Sequence, residues 1–288
     1  MKYGLYLPNF GRFADARLLG ELARAAEQAG WDGFFLWDHI ARDWAPPVVD
    51  TWVALTAIAL NTRKIRFGPL VTPLPRRRPW KVARETASLD QLSSGRLILG
   101  VGTGGLGGLT VEWENFAEEL DLRTRAEMLD EGLEILTGLW SGKPFSYTGK
   151  HYRVKDSEFT PVAAQSPRIP IWVAGNWPNK APFRRAARWD GMFPQVDPKQ
   201  GDEMIQLKDA IQYAQGQRQR EGTFDVVYST SLRGNQALPV TERVAQYKEL
   251  GITWLLEQLY PGHFRGSWQG VWPLESMRHR ILQGPPGL

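Results

Sequence analysis

Short apolar runs alternate along this chain with longer stretches in which apolar residues recur every three or four positions. The first pattern predicts buried strands and the second predicts helices with one inward face. Strands are expected at residues 3–7, 34–37, 65–71, 97–101, 169–174, 191–193, 224–229 and 252–256. Helices are expected between them, at 15–29, 53–60, from Pro79 onward, 124–140, 181–187, about 201–220, 241–250 and 272–282. Asp15 is placed to cap the first helix and Gly30 to end it. Thr124-Arg125-Ala126-Glu127 has the form of a capping box at the head of the fourth helix.

Eight strands alternating with helices predict a single (β/α)8 TIM barrel, an α/β fold, over residues 1–288. Residues 142–168 break the alternation and read as an insertion after helix 4, with hairpin character around the Thr148-Gly149 turn. In such a barrel the active site lies at the C-terminal strand ends. Asn9, Asp38-His39, Val71-Thr72, Gly102-Thr103, Gly175-Asn176, Gln195, Ser229 and Gln258 should therefore share one mouth.

Composition narrows the chemistry. The chain has no cysteine, which excludes disulfides, thiolate catalysis and zinc–sulfur sites. Its four histidines are scattered, so no metal site is expected. The net charge of +4 is spread too thinly to suggest nucleic acid. Its one dense basic run, Arg76-Arg77-Arg78, reads as a solvated loop, a subunit contact or a phosphate contact. No stretch approaches a membrane span and the N-terminus does not read as a signal peptide, so a soluble cytoplasmic protein is expected. Thirteen tryptophans are many; they fill cores more often than they line ligand sites.

Three motifs carry candidate chemistry. Gly100-Val101-Gly102-Thr103-Gly104-Gly105 matches a dinucleotide fingerprint, but it follows the fourth strand and no helix opens at once. A better reading is a strand end where missing side chains let a flat ring approach the backbone. Asp38-His39, where an apolar strand stops abruptly, suits an acid/base or hydrogen-bonding pair. Ala174-Gly175-Asn176 precedes a helix start and offers backbone N–H groups to a phosphate. Trp44, Trp113 and Trp177 fall in mouth loops and are candidates to cover an apolar small-molecule substrate.

An ordered set of segments carries a family resemblance over nearly the whole chain. It comprises Tyr3-Gly4-Leu5-Tyr6-Leu7-Pro8-Asn9-Phe10, Leu36-Trp37-Asp38-His39, and Ile65-Arg66-Phe67-Gly68-Pro69-Leu70-Val71. The most diagnostic stretch runs from Glu85 through Asp90-Gln91-Leu92-Ser93-Ser94-Gly95-Arg96 to Gly102. Tyr147-Thr148-Gly149-Lys150-His151-Tyr152 and Ile169-Pro170-Ile171-Trp172-Val173-Ala174-Gly175 follow. The chain thus resembles the bacterial-luciferase-like FMN and coenzyme F-420 oxidoreductases. The resemblance implies a (β/α)8 barrel with an insertion, often a homodimer. It implies FMN or the deazaflavin coenzyme F-420 at the mouth, the Asp-His pair favouring the deazaflavin. It implies His39 as acid/base and Asp38 as its cofactor-facing partner. A cis peptide at Leu70–Val71 would back the ring, Gly102 and Thr103 would floor it, and Ala174, Gly175 and Asn176 would hold the phosphate tail. NAD(P)H or a flavin reductase is an implied partner. Sugar-phosphate dehydrogenases of the family carry a glutamate after Gly-Thr-Gly, where this chain has Gly105; Glu112 and Glu114 lie nearby but out of register. Two other readings stay open: a non-flavin barrel lyase or hydrolase using Asp38 and His39, and a non-catalytic flavin-binding protein.

Overall fold

The structure, a computed structural model, describes residues 1–44, 46–105, 111–232 and 238–286. The first half of the chain runs β1 (Lys2–Leu7), α1 (Ala16–Gln28), β2 (Gly33–Leu36), α2 (Thr51–Asn61), β3 (Arg66–Pro69), β4 (Thr72–Pro73), α3 (Pro79–Leu92), β5 (Leu99–Gly102), α4 (Val111–Glu114) and α5 (Leu122–Trp140). The second half runs β6 (Phe145–Thr148), β7 (Arg153–Ser157), β8 (Ile171–Asn176), α6 (Lys180–Ala186), β9 (Gly191–Gln195), α7 (Glu203–Gly216), β10 (Asp225–Thr230), α8 (Val240–Glu249), β11 (Trp254–Gln258) and α9 (Leu274–Leu282).

Nine strands pair in parallel in the order β3-β2-β1-β11-β10-β9-β8-β5-β4. The two end members, β3 and β4, are halves of one strand, separated by Leu70 and a cis Leu70–Val71 peptide. Joining them closes the sheet into the expected eight-stranded barrel. The expected third strand, 65–71, is therefore divided: β3 pairs with β2, and β4 pairs with β5. Gly68 makes the crossing possible, since a Cβ there would lie 1.8 Å from the Ile98 carbonyl oxygen. The hairpin β6–β7 is antiparallel and separate from the barrel sheet, in the predicted insertion.

Two cores hold the barrel. Inside it, Phe35, Leu70, Ile98, Trp172, Phe193, Val227, Trp254 and Leu256 pack together. Trp172 and Trp254 stand 5.4 Å apart, centroid to centroid, in a T-shaped arrangement. These two tryptophans are accordingly core. Each such buried side chain contributes roughly 1.5–3 kcal/mol. The outer core, between sheet and helices, includes Leu19, Leu22, Leu55, Ile58, Leu133 and Leu136, at the helical spacing visible in the sequence.

Local chemistry sets the helix starts. The Asp15 carboxylate accepts the N–H of Arg17 and Leu18, as expected. The capping-box expectation at Thr124 is corrected: α5 starts at Leu122, and Asp121 accepts the Thr124 N–H. An ionised carboxylate three residues upstream is the stronger acceptor and moves the cap to itself. Glu127 instead bonds Lys150 and His151 of the insertion. Among the described residues no helix is long and apolar enough to cross a membrane.

Candidate active site

The site is built where β2 ends. Trp37 still donates its N–H to Leu7, continuing the ladder with β1. The chain then turns, and Asn9 fixes the turn. Its side-chain amide donates to the carbonyls of His39 and Val49 at 2.8 and 2.7 Å, and its Oδ1 accepts the His39 N–H at 3.2 Å. Asn9 is fully buried, so these bonds are shielded from water. With the strand ended, Asp38 and His39 both line the same cavity and engage different partners.

Asp38 is held by arginines. Arg77 donates to both of its carboxylate oxygens, at 2.6 and 3.1 Å, and Thr72 Oγ1 donates at 2.9 Å. Arg76 donates to the Asp38 carbonyl at 2.8 Å. Burial opposes the charge on Arg77, but the adjacent Asp38 outweighs it and raises the Arg77 pKa. Arg76 and Arg77 therefore depart from the solvated-loop reading of this run, while Arg78 is exposed. Arg76 is buried and Arg77 nearly so, because the turn after β4 directs both at the end of β2.

His39 meets a carboxylate. Its Nδ1 lies 3.0 Å from Glu112 Oε2, on the short helix α4. The other oxygen, Oε1, accepts the N–H groups of Ile40 and Ala41 at 2.6 and 3.1 Å. Arg76 Nη1 sits 3.0 Å from Oε2. Burial alone would raise the Glu112 pKa. The hydrogen bond and charge of His39, the charge of Arg76 and the Ala41 N–H reverse this and bring it down to about 2. Against 4.5 for an ordinary glutamate, this stabilisation is complete above about pH 4.5 and is lost as pH falls through about 2. It amounts to roughly 3 kcal/mol at ~1.4 kcal/mol per pKa unit. Urea unfolding of wild type and Glu112→Gln should show a stability gap that narrows by about that much between those pH values. A gap constant with pH would show that Glu112 is not preferentially ionised in the fold.

The cavity is about 500 Å³, within the ~300–1,000 Å³ common for ligand sites. It brings together His39, Asp38, Leu70, Val71, Gly102, Thr103, Ala174, Gly175, Asn176 and Trp113. Its floor is flat because Gly102 lacks a side chain: a Cβ there would lie 3.1 Å from Val71 Cγ2 and 3.8 Å from Ala174 Cβ. Tyr6, Trp37 and Phe193 wall one side. Arg125, Arg185, Asn176 and Asn179 give the lining its polar part. Arg125 is buried and donates to the carbonyls of Thr103 and Gly104. Its Nε has no hydrogen-bond partner among the described residues.

Two of the sequence candidates fall outside this lining. Trp44 packs edge-on against Phe10 with Arg42 over its ring. Trp177 packs against Phe183 and Tyr213, on the helix side of its strand end. Both rings lie against these neighbours, so only Trp113 of the three lines the cavity. Trp113 is itself almost wholly buried, under the Arg125 guanidinium.

The profile of the luciferase-like monooxygenase family matches residues 1–233, most of the chain. The chain belongs to the luciferase-like monooxygenase family. It is thereby an oxidoreductase of the flavin and deazaflavin class. An F420-dependent hydroxymycolic acid dehydrogenase of Mycobacterium tuberculosis is 34% identical over 189 residues, covering 64% of this chain and 50% of that protein. The chain thus matches about half the length of that relative. A crystal structure of a monooxygenase from Streptomyces bottropensis superposes with a TM-score of 0.76 at 21% identity, over 98% of this chain and 96% of the other. An F420-dependent tetrahydromethanopterin reductase from Methanopyrus kandleri gives 0.72 at 16% identity, over 98% of both chains. These two superpositions support the barrel fold.

In this luciferase-like barrel, Arg125 is a site residue with no role at the site in the sequence reading, which notes Glu112 only as lying out of register and does not pair Arg76 and Arg77 with Asp38 and Glu112. The helix after the glycine stretch was expected only near Thr124, yet α4 intervenes and delivers Glu112 and Trp113. A legible signal existed: two carboxylates, Glu112 and Glu114, flank Trp113 just beyond the glycine stretch. The residues present fit a flavin or deazaflavin. Gly102, Val71 and Ala174 leave a floor that a side chain would fill, and the buried Arg125 Nε suits an anionic tail.

Proposed function

We propose that this luciferase-like protein is a deazaflavin-dependent oxidoreductase acting on a small, apolar substrate. When bound, the deazaflavin ring gives or takes a hydride. The chain's own residues do the rest. Gly102, Val71 and Ala174, beside the Leu70–Val71 bond, would support the ring. Thr103 would help to floor it, and Ala174, Gly175 and Asn176, with Arg125, would hold the anionic tail. His39 moves the substrate proton, and Tyr6, Trp37 and Phe193 present an apolar wall next to it. Asp38 contributes through Arg77, keeping the turn that carries His39 in place.

The observation that carries this reading is the placement of His39. It lines the cavity with Nδ1 occupied by Glu112, which leaves Nε2 for exchange with a substrate. The 34% identity to an F420-dependent dehydrogenase supports the deazaflavin over FMN. The expected homodimer is consistent with α2, where Val53 and Leu60 are 58% and 59% exposed. A cytoplasmic location belongs to the same proposal.

The test is a paired fluorescence titration of the purified protein with FMN and with coenzyme F-420. Tight binding of the deazaflavin and weak binding of FMN is expected. In Gly102→Val, the added side chain crowds Val71 and should weaken binding at least tenfold with the fold intact by circular dichroism. FMN binding alone would turn the reading to oxygen chemistry, with reduced ring supplied by NAD(P)H or a flavin reductase. Binding of neither by folded protein would refute it.

A further inference from the structure

We infer that Glu112 is the positioning residue that fixes the ring tautomer of His39. It would hold the proton on Nδ1 and turn a bare Nε2 to the cavity. The functional meaning of this tautomer rests on the proposed role of His39; the tautomer itself follows from the contacts of Glu112.

Glu112 has no freedom to present anything but an acceptor to His39. Its Oε1 is committed to two backbone donors, Ile40 and Ala41, in the turn that follows the histidine. Its Oε2 stands between His39 Nδ1 and Arg76 Nη1, each at 3.0 Å. Arg76 is tied in turn to the Asp38 carbonyl. The Glu112 side chain is only 3% exposed, so water cannot substitute for these partners. An ionised carboxylate facing a bare Nδ1 would set lone pair against lone pair. The arrangement is satisfied only when Nδ1 carries a proton. The aromatic rings of Phe10 and Trp37, 5.8 and 5.4 Å from the imidazole, hold its plane without competing for either nitrogen. Histidine bases are commonly oriented by a carboxylate in this way. Here the carboxylate comes from α4, well over a turn of chain beyond the glycine strand end.

The same contacts predict what an amide would do. In Glu112→Gln the Ile40 and Ala41 N–H groups keep the amide oxygen at the Oε1 position. The amide nitrogen then faces both Nδ1 and Arg76 Nη1 and can only donate; the guanidinium cannot accept, so the imidazole is the partner that changes. His39 must answer with a bare Nδ1 and a protonated Nε2, the opposite tautomer. The substitution changes almost no volume, so packing is kept, while the buried Arg76 guanidinium loses its carboxylate and the variant's fold is checked alongside.

The test uses nitrogen NMR of the histidine rings in uniformly labelled, cofactor-free protein, at a pH where the imidazole is neutral. The protein has four histidines, and the His39 signals are those lost in His39→Gln. Wild type should show His39 as the Nδ1–H tautomer, and Glu112→Gln should show it as Nε2–H. A wild-type Nε2–H tautomer overturns the inference even if the variant does not fold. An unchanged tautomer in folded Glu112→Gln overturns it as well. No flavin enters this measurement, so it stands or falls apart from the proposed cofactor. In the loaded enzyme the variant should lower kcat about 10²–10⁴-fold with cofactor affinity unchanged within about twofold.

Discussion

His39→Gln is expected to lower kcat by about 10²–10⁴-fold while the deazaflavin still binds with affinity near that of wild type. The size is that of a lost general acid/base. Binding should survive because the floor, Gly102, Val71 and Ala174, and the polar part, Asn176 and Arg125, lie on other strands and on α5. Stability should survive as well. Glu112 keeps the Ile40 and Ala41 N–H groups and Arg76 after the imidazole is gone, so no buried charge is orphaned. Steady-state kinetics paired with the fluorescence titration checks the prediction. Full turnover with cofactor bound would remove His39 from the chemistry.

Arg77→Ala should have the largest effect on stability, about 3–5 kcal/mol of destabilisation at neutral pH. The Asp38 side chain is 1% exposed and its two oxygens are both bound by Arg77. Without that guanidinium it keeps the Thr72 hydroxyl and a distant Arg76 at 4.0 Å. Removing one partner of a buried pair leaves a charge with its desolvation uncompensated, and losses of this order follow. Replacing both, as in Asp38→Asn with Arg77→Met, should recover much of the loss, since no unpaired charge remains. Urea unfolding of the two variants decides the matter. A loss below about 1 kcal/mol in Arg77→Ala would mean that solvent reaches Asp38 and screens it.

The barrel was legible because its signals are local. Runs such as 34–37 and 169–174 are apolar over a strand's length, and the helices between them repeat at helical spacing. Much of the mouth was legible too, since the barrel rule places strand ends together wherever they lie in sequence. Contacts between loops were not. Glu112 reaches His39 across 73 positions and Arg77 reaches Asp38 across 39. No periodicity encodes which loop side chain meets which strand end. A basic run looks the same whether it is solvated or folded onto a buried carboxylate. The tryptophans misled for a related reason. A ring in a mouth loop can turn toward the cavity, as Trp113 does, or sideways onto a neighbour, as Trp44 and Trp177 do, and the choice rests with the neighbour.

The pairing of β1 with β11 has a consequence for how the protein is made. Lys2 sits beside Trp254 and Tyr6 beside Gln258. A ribosome adding roughly 5–20 residues per second needs from about ten seconds to a minute between those two strands. During that interval one edge of β1 is complete and has no mate. The emerging chain is a growing open sheet, able to pair with another nascent copy. The barrel becomes a closed object only when the strand at Trp254 arrives. Expression yield should therefore depend on what shields β1 during synthesis as well as on the stability of the finished fold.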